Sequence, residues 1–409
     1  MKGLIEAQRE VLDAVATLPE VTVAVEAAAG LALAESVVAP HDVPPFANSA
    51  MDGYAVIAQD VAEVPVELKI LEDLPAGSVP TRVVTAGLAT RIMTGAPMPE
   101  GADTVVPVED SESSDETVRL LAGRPRGANV RPAGGDLEAG QAVFPAGVRL
   151  TPPRIGVLAS LGISPTVRRR PLAAVFSTGD EVVPPDAEEL APGLIRDSNR
   201  PMLTQLLEDV GCEIRDFGIV GDDEAALRAT LAEAAEAADI IVSSGGVSMG
   251  EYDLVKHVLR GLGSVDFWRV AMKPGKPFAF GKVNDVPFFG LPGNPVSVFI
   301  SFEQFVRPAV LTMMGARSVF RSRVPGVAVE AMPHDEQRLT FLRASVTLSD
   351  EGRFRALPMR GQGSHMLGAL AAADALAVVP AGVQIGPGDP VTLEMMMWPE
   401  GRTAEEALG

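Results

Sequence analysis

Between residues 171 and 312 the chain alternates short apolar runs with stripes at helical spacing. Leu172–Phe176 is a continuous apolar run, the signature of a strand buried on both faces. It leads into Ser177-Thr178-Gly179-Asp180-Glu181. A helix is predicted next, with Asn199 as candidate cap, Pro201 in its first turn and Gly211 at its end. Leu203, Leu206, Leu207 and Val210 form its apolar face. Strand Cys212–Val220 and helix Asp223–Ala238 follow, the latter striped by Leu227, Leu231, Ala234 and Ala238. The alternation continues through strand Asp239–Ser243, helix Asp253–Leu262, strand Val286–Leu291 and a helix starting at Asn294-Pro295. Strands alternating with helices predict βαβ units and a parallel sheet.

The flanks read differently. Leu4, Val11, Leu12 and Val15 mark a short N-terminal helix that stops before Pro19. Residues 20–39 mix Val alternation with an Ala-rich helical stretch. Through residues 40–140, prolines punctuate short runs such as Val64–Ile70 and Thr104–Val108, which predicts a small β-rich domain. Glu109–Glu116 is a solvated tip or loop, and Thr151-Pro152-Pro153 starts a helix ending near Gly162. Arg168-Arg169-Arg170 reads as a charged linker at a domain boundary. Residues 320–398 return to short strands (Gly326–Val329, Phe341–Leu348, Ala375–Val379, Pro390–Met395), a second small β domain.

Composition narrows the function. With 34 basic and 54 acidic residues the net charge is −20, which argues against a nucleic-acid partner. The single cysteine, Cys212, excludes an intramolecular disulfide framework and a multi-Cys metal site. No two of the four histidines have zinc-ligand spacing. Any metal must take oxygen ligands or sulfur brought by a substrate. Met1–Val15 carries four charged residues beyond Lys2 where an export signal needs an apolar core, and the uncharged run Val286–Phe302 is broken by three prolines. A cytoplasmic protein with no membrane partner is expected.

Ligands of open parallel sheets bind beyond the carboxyl ends of the strands. Three such ends carry small-residue loops: Ser177–Glu181, Ser243–Gly250 and Pro292–Pro295. Glycines there let backbone approach a ligand and N–H groups cradle phosphate oxygens, and the Asn294-Pro295 helix start offers a positive end. Lys273-Pro274-Gly275-Lys276-Pro277, with Arg269 upstream, places scarce cations beside these loops. A Lys–phosphate pair at about 4 Å gains roughly 4 kcal/mol gross at an effective dielectric of 20, more than a helix end supplies. Asp52, Asp136, Glu181, Asp222 and Asp253 are the acidic candidates, and carboxylates beside phosphates suggest Mg²⁺. Ser177, Ser364 and His365 are rejected as a nucleophile set because neither serine sits in a G-x-S-x-G elbow.

These segments together resemble the MoeA family of molybdopterin molybdenumtransferases, which includes the gephyrin E domain. The resemblance is carried by Asn48–Ala55 (NSAMDGYA), Arg91–Pro97 (RIMTGAP), Phe176–Glu181 (FSTGDE), Ser243–Ser248 (SSGGVS), Lys273–Gly281 (KPGKPFAFG), Leu291–Pro295 (LPGNP) and Gly361–His365 (GQGSH). It implies a multidomain α/β fold. The α/β part (1–19 and 171–317) resembles molybdopterin adenylyltransferases. The rest is a linking and dimerisation domain (20–39 and 141–170), a small β-rich domain (40–140) and a C-terminal β-barrel (318–400). It implies a homodimer whose cleft lies between the α/β part of one subunit and the β-rich domain of the other. The implied reaction inserts molybdate into adenylylated molybdopterin and releases AMP, with Mg²⁺ assisting. The pterin brings both sulfurs, in keeping with the single cysteine.

By motif, the resemblance assigns catalytic positions to Asp52, Thr94, Asp136, Glu181, Asp222, Asp253, Lys273 and Ser364. It assigns substrate binding to Ser177, Thr178, Gly179, Ser244, Gly245, Gly246, Val247, Ser248, Arg269, Lys276, Pro292, Gly293, Asn294 and Pro295. Asp52 and Glu181 are the Mg²⁺ candidates. Arg269 stands where some members have Lys. The competing readings are an ATP-dependent molybdopterin adenylyltransferase, for which the Asp52 region and the C-terminal β domain are superfluous, and a non-catalytic scaffold of gephyrin type. The adenylyltransferase is also a possible physical partner.

Overall fold

The computed structural model describes residues 1–246 and 254–398. Its centre is a six-stranded sheet of β1 (Leu172–Thr178), β2 (Glu213–Val220), β3 (Ile240–Ser244), β4 (Gly263–Arg269), β5 (Pro277–Val283) and β6 (Val286–Leu291), in spatial order β2-β1-β3-β6-β5-β4. The first four in that order are parallel, as the strand–helix alternation predicts. β5 and β4 extend the edge as an antiparallel pair, which the alternation did not reveal. Their connection is the Lys273–Lys276 turn, so the cations sit on a hairpin and not on a βα loop.

The faces of β1 split by the strand period of two. Ala173 and Val175 join the largest core, together with Val11 of helix Leu4–Ala14, Leu203 and Leu207 of helix Asn199–Val210, and the long helical segment from Pro295 to Met313. Ala174 and Phe176 join the opposite core with Leu227 and Leu231 of helix Glu224–Ala237 and with Val258 and Leu259 of helix Leu254–Leu262. Each such Leu, Val or Phe contributes roughly 1.5–3 kcal/mol by burial. Few aromatics occur, but several meet in one place: Phe278 stacks on Phe305 at 4.3 Å and lies 5.8 Å from Trp268. Pro295–Met313 is apolar and 19 residues long, and 83% of its most apolar window lies inside the fold, so it serves as the core helix.

One cap differs in detail from the sequence reading. The helix expected to be capped by Asn199 instead takes Ser198 at its start, and the carboxylate of Asp197 accepts the Arg200 N–H at 3.1 Å. Gly211 ends that helix as expected, at φ +116°. Arg168, Arg169 and Arg170, read as a charged linker, each hold a partner across the fold. Arg169 holds Asp239 through two bonds of 2.6 and 2.5 Å, Arg168 pairs with Glu20 at 2.7 Å, and Arg170 donates to the Ala29 carbonyl at 3.0 Å.

Two further six-stranded sheets flank the centre. One is built from Gly53–Val56, Val66–Leu74, Leu88–Ile92, Thr104–Pro107, Ser111–Ser113 and Thr117–Leu120. The other contains Arg323–Ala328, Leu339–Leu348, Phe354–Pro358, Ala375–Val379 and Pro390–Met395. These five close into a barrel, because Leu339–Leu348 pairs with both Phe354–Pro358 and Ala375–Val379. Met272–Lys273 adds to the barrel, pairing in parallel with Leu339 and Thr340. The cationic hairpin is thereby tied to the barrel as well as to the central sheet. Short pairs join Glu20–Thr22 to Thr166–Arg168 and Val37–Val38 to Ala142–Phe144.

Candidate substrate-binding cleft

Three strand ends meet in register: Ser177 lies beside Ser244, and Ser244 beside Leu291. The loops leaving them enclose a cleft of 420 Å³, within the range of small-molecule sites. It is lined by Ser177, Thr178, Gly179, Glu181, Asp222, Ser244, Gly245, Gly246, Pro292, Gly293, Asn294 and Pro295 from the predicted set, and also by Asp197, Asn199 and Pro277. Val247, Ser248 and Asp253 lie outside the described residues.

The floor is tight backbone. A Cβ on Gly245 would lie 2.6 Å from the Thr178 carbonyl oxygen, and its φ of +90° also demands glycine. Its N–H is spent on the Leu291 carbonyl at 3.1 Å, and that of Gly179 points to Val220. The Asn294-Pro295 helix start is not a free anion site: Pro295 has no N–H, and the Val296 N–H donates to the Ser364 carbonyl at 3.0 Å. Polarity for a ligand comes instead from side chains. Thr178 Oγ1 and Asn199 Oδ1 are buried and have no hydrogen-bond partner among the described residues, the arrangement expected where a ligand completes the site.

Asp197 is the residue that sequence reasoning missed. Its side chain is 1% exposed, accepts from Ser177 Oγ at 3.1 Å, and is held by Arg200 Nε at 3.0 Å. Ser177 thus donates to a carboxylate and meets no imidazole, in keeping with the rejected nucleophile set. The signal available was the Asp197-Ser198-Asn199 turn directly before a predicted helix.

The rim is acidic. Asp180 accepts the Asp222 N–H at 2.9 Å. Partial burial, then the charges of Asp180 and Glu181, push the Asp222 carboxyl above its usual range. Among the described residues no three His, Cys, Asp or Glu side chains converge as a metal cage. Mg²⁺ needs less, one or two carboxylates with substrate phosphates and water. Mutually repelling carboxylates at a cleft mouth fit that requirement.

The cations stand beside the cleft. Arg269 and Lys276 are exposed, and Lys276 precedes the lining residue Pro277. Lys273 Nζ lies 3.6 Å from Asp335, whose carboxyl is held well below the carboxylate range by the Arg338 guanidinium, with Lys273 adding to the effect. Ser364 reaches the cleft edge through its carbonyl. Its loop is anchored by Arg343, fully buried on the barrel, which donates to Gly361 at 2.8 Å and whose Nε and Nη1 have no partner among the described residues. The signal for Arg343 was one cation inside the apolar run Phe341–Leu348.

Asp52, Thr94 and Asp136 do not line the cleft. Asp52 and Thr94 belong with each other: Asp52 Oδ1 accepts the Thr94 N–H at 2.7 Å and its hydroxyl at 2.8 Å. Those bonds hold the Asp52 carboxyl below its usual range. Asp136 is exposed, and its N–H donates to the Val43 carbonyl at 2.9 Å.

Three family profiles match in order. They are the MoeA N-terminal region (domains I and II) over residues 3–162, a probable molybdopterin-binding domain over 174–312, and the MoeA C-terminal region (domain IV) over 325–395. The chain is 36% identical over 371 residues to a molybdopterin molybdenumtransferase of Haemophilus influenzae, covering 90% of this chain and 91% of that protein. It is 37% identical over 394 residues to molybdopterin molybdenumtransferase 2 of Mycobacterium tuberculosis, covering 94% and 96%. The fold matches that of a MoeA molybdopterin biosynthesis protein of Pyrococcus horikoshii with a TM-score of 0.80 at 29% identity, over 97% of this chain and all of that one. Another structure of a MoeA protein from this genus gives 0.77 at 31% identity, covering 97% and 99%. With every motif segment described above falling within these matches, the chain belongs to the MoeA family of molybdopterin molybdenumtransferases.

Proposed function

We propose that this protein catalyses the metal-insertion step of molybdenum cofactor biosynthesis: molybdate and adenylylated molybdopterin are converted to molybdenum cofactor and AMP. The observation that carries this reading is the 420 Å³ cleft at the strand ends, with buried acceptors inside, carboxylates at its rim and a cationic hairpin beside it. Neither competing reading is favoured by the relatives' names.

Thr178, Asn199 and the Ser244–Gly246 turn orient the pterin and its phosphates, and Ser177 and Asp197 fix the pocket wall. Lys273, Lys276 and Arg269 neutralise molybdate and phosphate oxygens, with Ser364 as a hydrogen-bonding group from the barrel side. Glu181 and Asp222 are the carboxylates to hold Mg²⁺, which when bound supplies charge neutralisation at the pyrophosphate. Preorganised electrostatics is the main source of rate.

Asp52, Thr94 and Asp136 lie away from the cleft within one chain. Their assigned role therefore requires a homodimer in which the β-rich domain of one subunit closes the cleft of the other. The assembly we propose is cytoplasmic, has no nucleic-acid or membrane partner, and receives its substrate directly from the adenylyltransferase. Single-turnover AMP release from adenylylated molybdopterin, with and without molybdate, tests the reading. Release that requires molybdate supports it. Adenylylation of molybdopterin by ATP, without AMP release, would overturn it.

A further inference from the structure

A second cavity lies at the junction of the three family regions, apart from the cleft. It has a volume of 250 Å³ and is lined by Arg149, Arg307 and Arg321, with Glu303 and Asp209 as its acids. Each arginine comes from a different part of the chain. Arg149 precedes the helix Pro152–Ser160, Arg307 lies on the core helix, and Arg321 leads into the barrel. A π-helical turn, Phe302–Val306, interrupts the core helix here, a departure often found at functional sites. Glu303 projects from it.

The charges do not balance. Glu303, 1% exposed, takes Arg321 through two bonds of 2.8 Å and stands 3.9 Å from Arg307. Asp209 is exposed, and its charge acts on Arg321, but its side chain makes no hydrogen bond among the described residues. Glu394, the next acid, is engaged by Arg323 and Gln304. An adjoining cavity shares Arg149 and adds Arg154 and Arg317 without any acid. Arg149 donates to Gly30 at 3.1 Å and to Val210 at 3.4 Å, and Arg307 donates to Val319 at 2.9 Å. That leaves Nη1 of Arg149 and Nη2 of Arg307 without a hydrogen-bond partner among the described residues. Burial depresses the pKa of both guanidiniums; Arg321 depresses each further, against an opposing effect of Glu303 on Arg307, whereas Arg321 itself is raised by its bonds to Glu303. Like charges gathered in a partly buried space are costly unless an anion joins them.

We infer that this junction is a binding site for a small tetrahedral oxyanion of the inorganic phosphate type, held between Arg149, Arg307 and Arg321. Guanidinium forks suit such oxygens. The volume is below the roughly 300 Å³ at which pockets for larger organic ligands begin, which favours the free ion over a nucleotide. An ion held there bridges the N-terminal region, the core helix and the barrel connection. The inference is independent of the chemistry proposed for the cleft.

The test is equilibrium dialysis of the full-length protein against radiolabelled inorganic phosphate at low salt, with the cleft saturated by AMP. One phosphate per chain should remain bound. Arg149→Gln should weaken it about tenfold, the loss of a charged hydrogen-bond pair. Asp209→Asn removes an acid that makes no hydrogen bond, so the fold should be unaffected and affinity should rise about threefold. Complete displacement of phosphate by AMP, or unchanged affinity in Asp209→Asn, would overturn the assignment.

Discussion

Mixing two inactive variants gives the sharpest test of the composite cleft. Asp52→Ala removes a carboxylate whose hydrogen bonds among the described residues go to Thr94, and Lys273→Ala removes an ammonium 47% exposed and 3.6 Å from Asp335. Both sites are on the surface, where substitutions shift stability by about 0.5 kcal/mol or less, so each variant should fold. Neither Asp52 nor Lys273 lines the 420 Å³ cleft of its own chain, but the hairpin carrying Lys273 is tied to that chain's central sheet and barrel. If Asp52 serves the partner's cleft, a heterodimer has one site with both substitutions and one with neither. Equal mixing with free exchange makes half of the dimers heterodimers, each with half its sites intact. Activity should return to about a quarter of wild type, following from the two-fold symmetry alone. The assay is molybdate-dependent AMP release, with native mass spectrometry to verify exchange. Background activity in a mixture shown to contain half heterodimer would refute the composite site.

Three further outcomes follow from the geometry. Gly245→Ala should cost about 1–3 kcal/mol in denaturant unfolding and abolish AMP release, because the added Cβ would sit 2.6 Å from a backbone oxygen at φ +90°. Asp222→Asn should raise the thermal midpoint slightly at neutral pH. The native carboxyl titrates above its unfolded value, so its favourable contribution is present below the unfolded pKa and is lost as pH rises through the folded pKa. The gain should vanish below about pH 3, where both states are protonated; a gain that persists there would contradict the assignment. Cys212 is buried and its thiol is pushed up to about 12, chiefly by burial, so it should resist alkylation in the native state and react once per chain after unfolding. Rapid native labelling would count against that environment.

Much of the architecture was legible in one dimension, for local reasons. A strand buried on both faces must be a run such as Leu172–Phe176, and a helix packed on it must carry a stripe such as Leu203, Leu207 and Val210. The alternation therefore set the parallel core. Gly245 was legible as a close approach because only glycine tolerates it. What stayed hidden was long-range. The antiparallel pair of β4 and β5 rests on pairings that local periodicity does not encode. Asp197 and Arg343 looked like an ordinary turn acid and a stray cation, since burial is a property of the assembled fold. Arg168–Arg170 read as a linker because Glu20, Ala29 and Asp239 are distant in sequence.

The sequence by itself determined that any bound metal must take oxygen ligands or sulfur brought by a substrate, because one cysteine offers no thiolate cage, and a net charge of −20 argues against a nucleic-acid partner. It also pointed to the strand-end loops that line the cleft, since glycines and acids cluster there. Only the tertiary structure decided how these groups share the work. It spent the Asn294-Pro295 helix start on Ser364, placed Asp52 away from the cleft of its own chain, and brought three arginines together at a domain junction. Composition fixes how much charge a chain has, whereas folding decides which charges face each other across a short distance in a poorly solvated space, and that sets their energy.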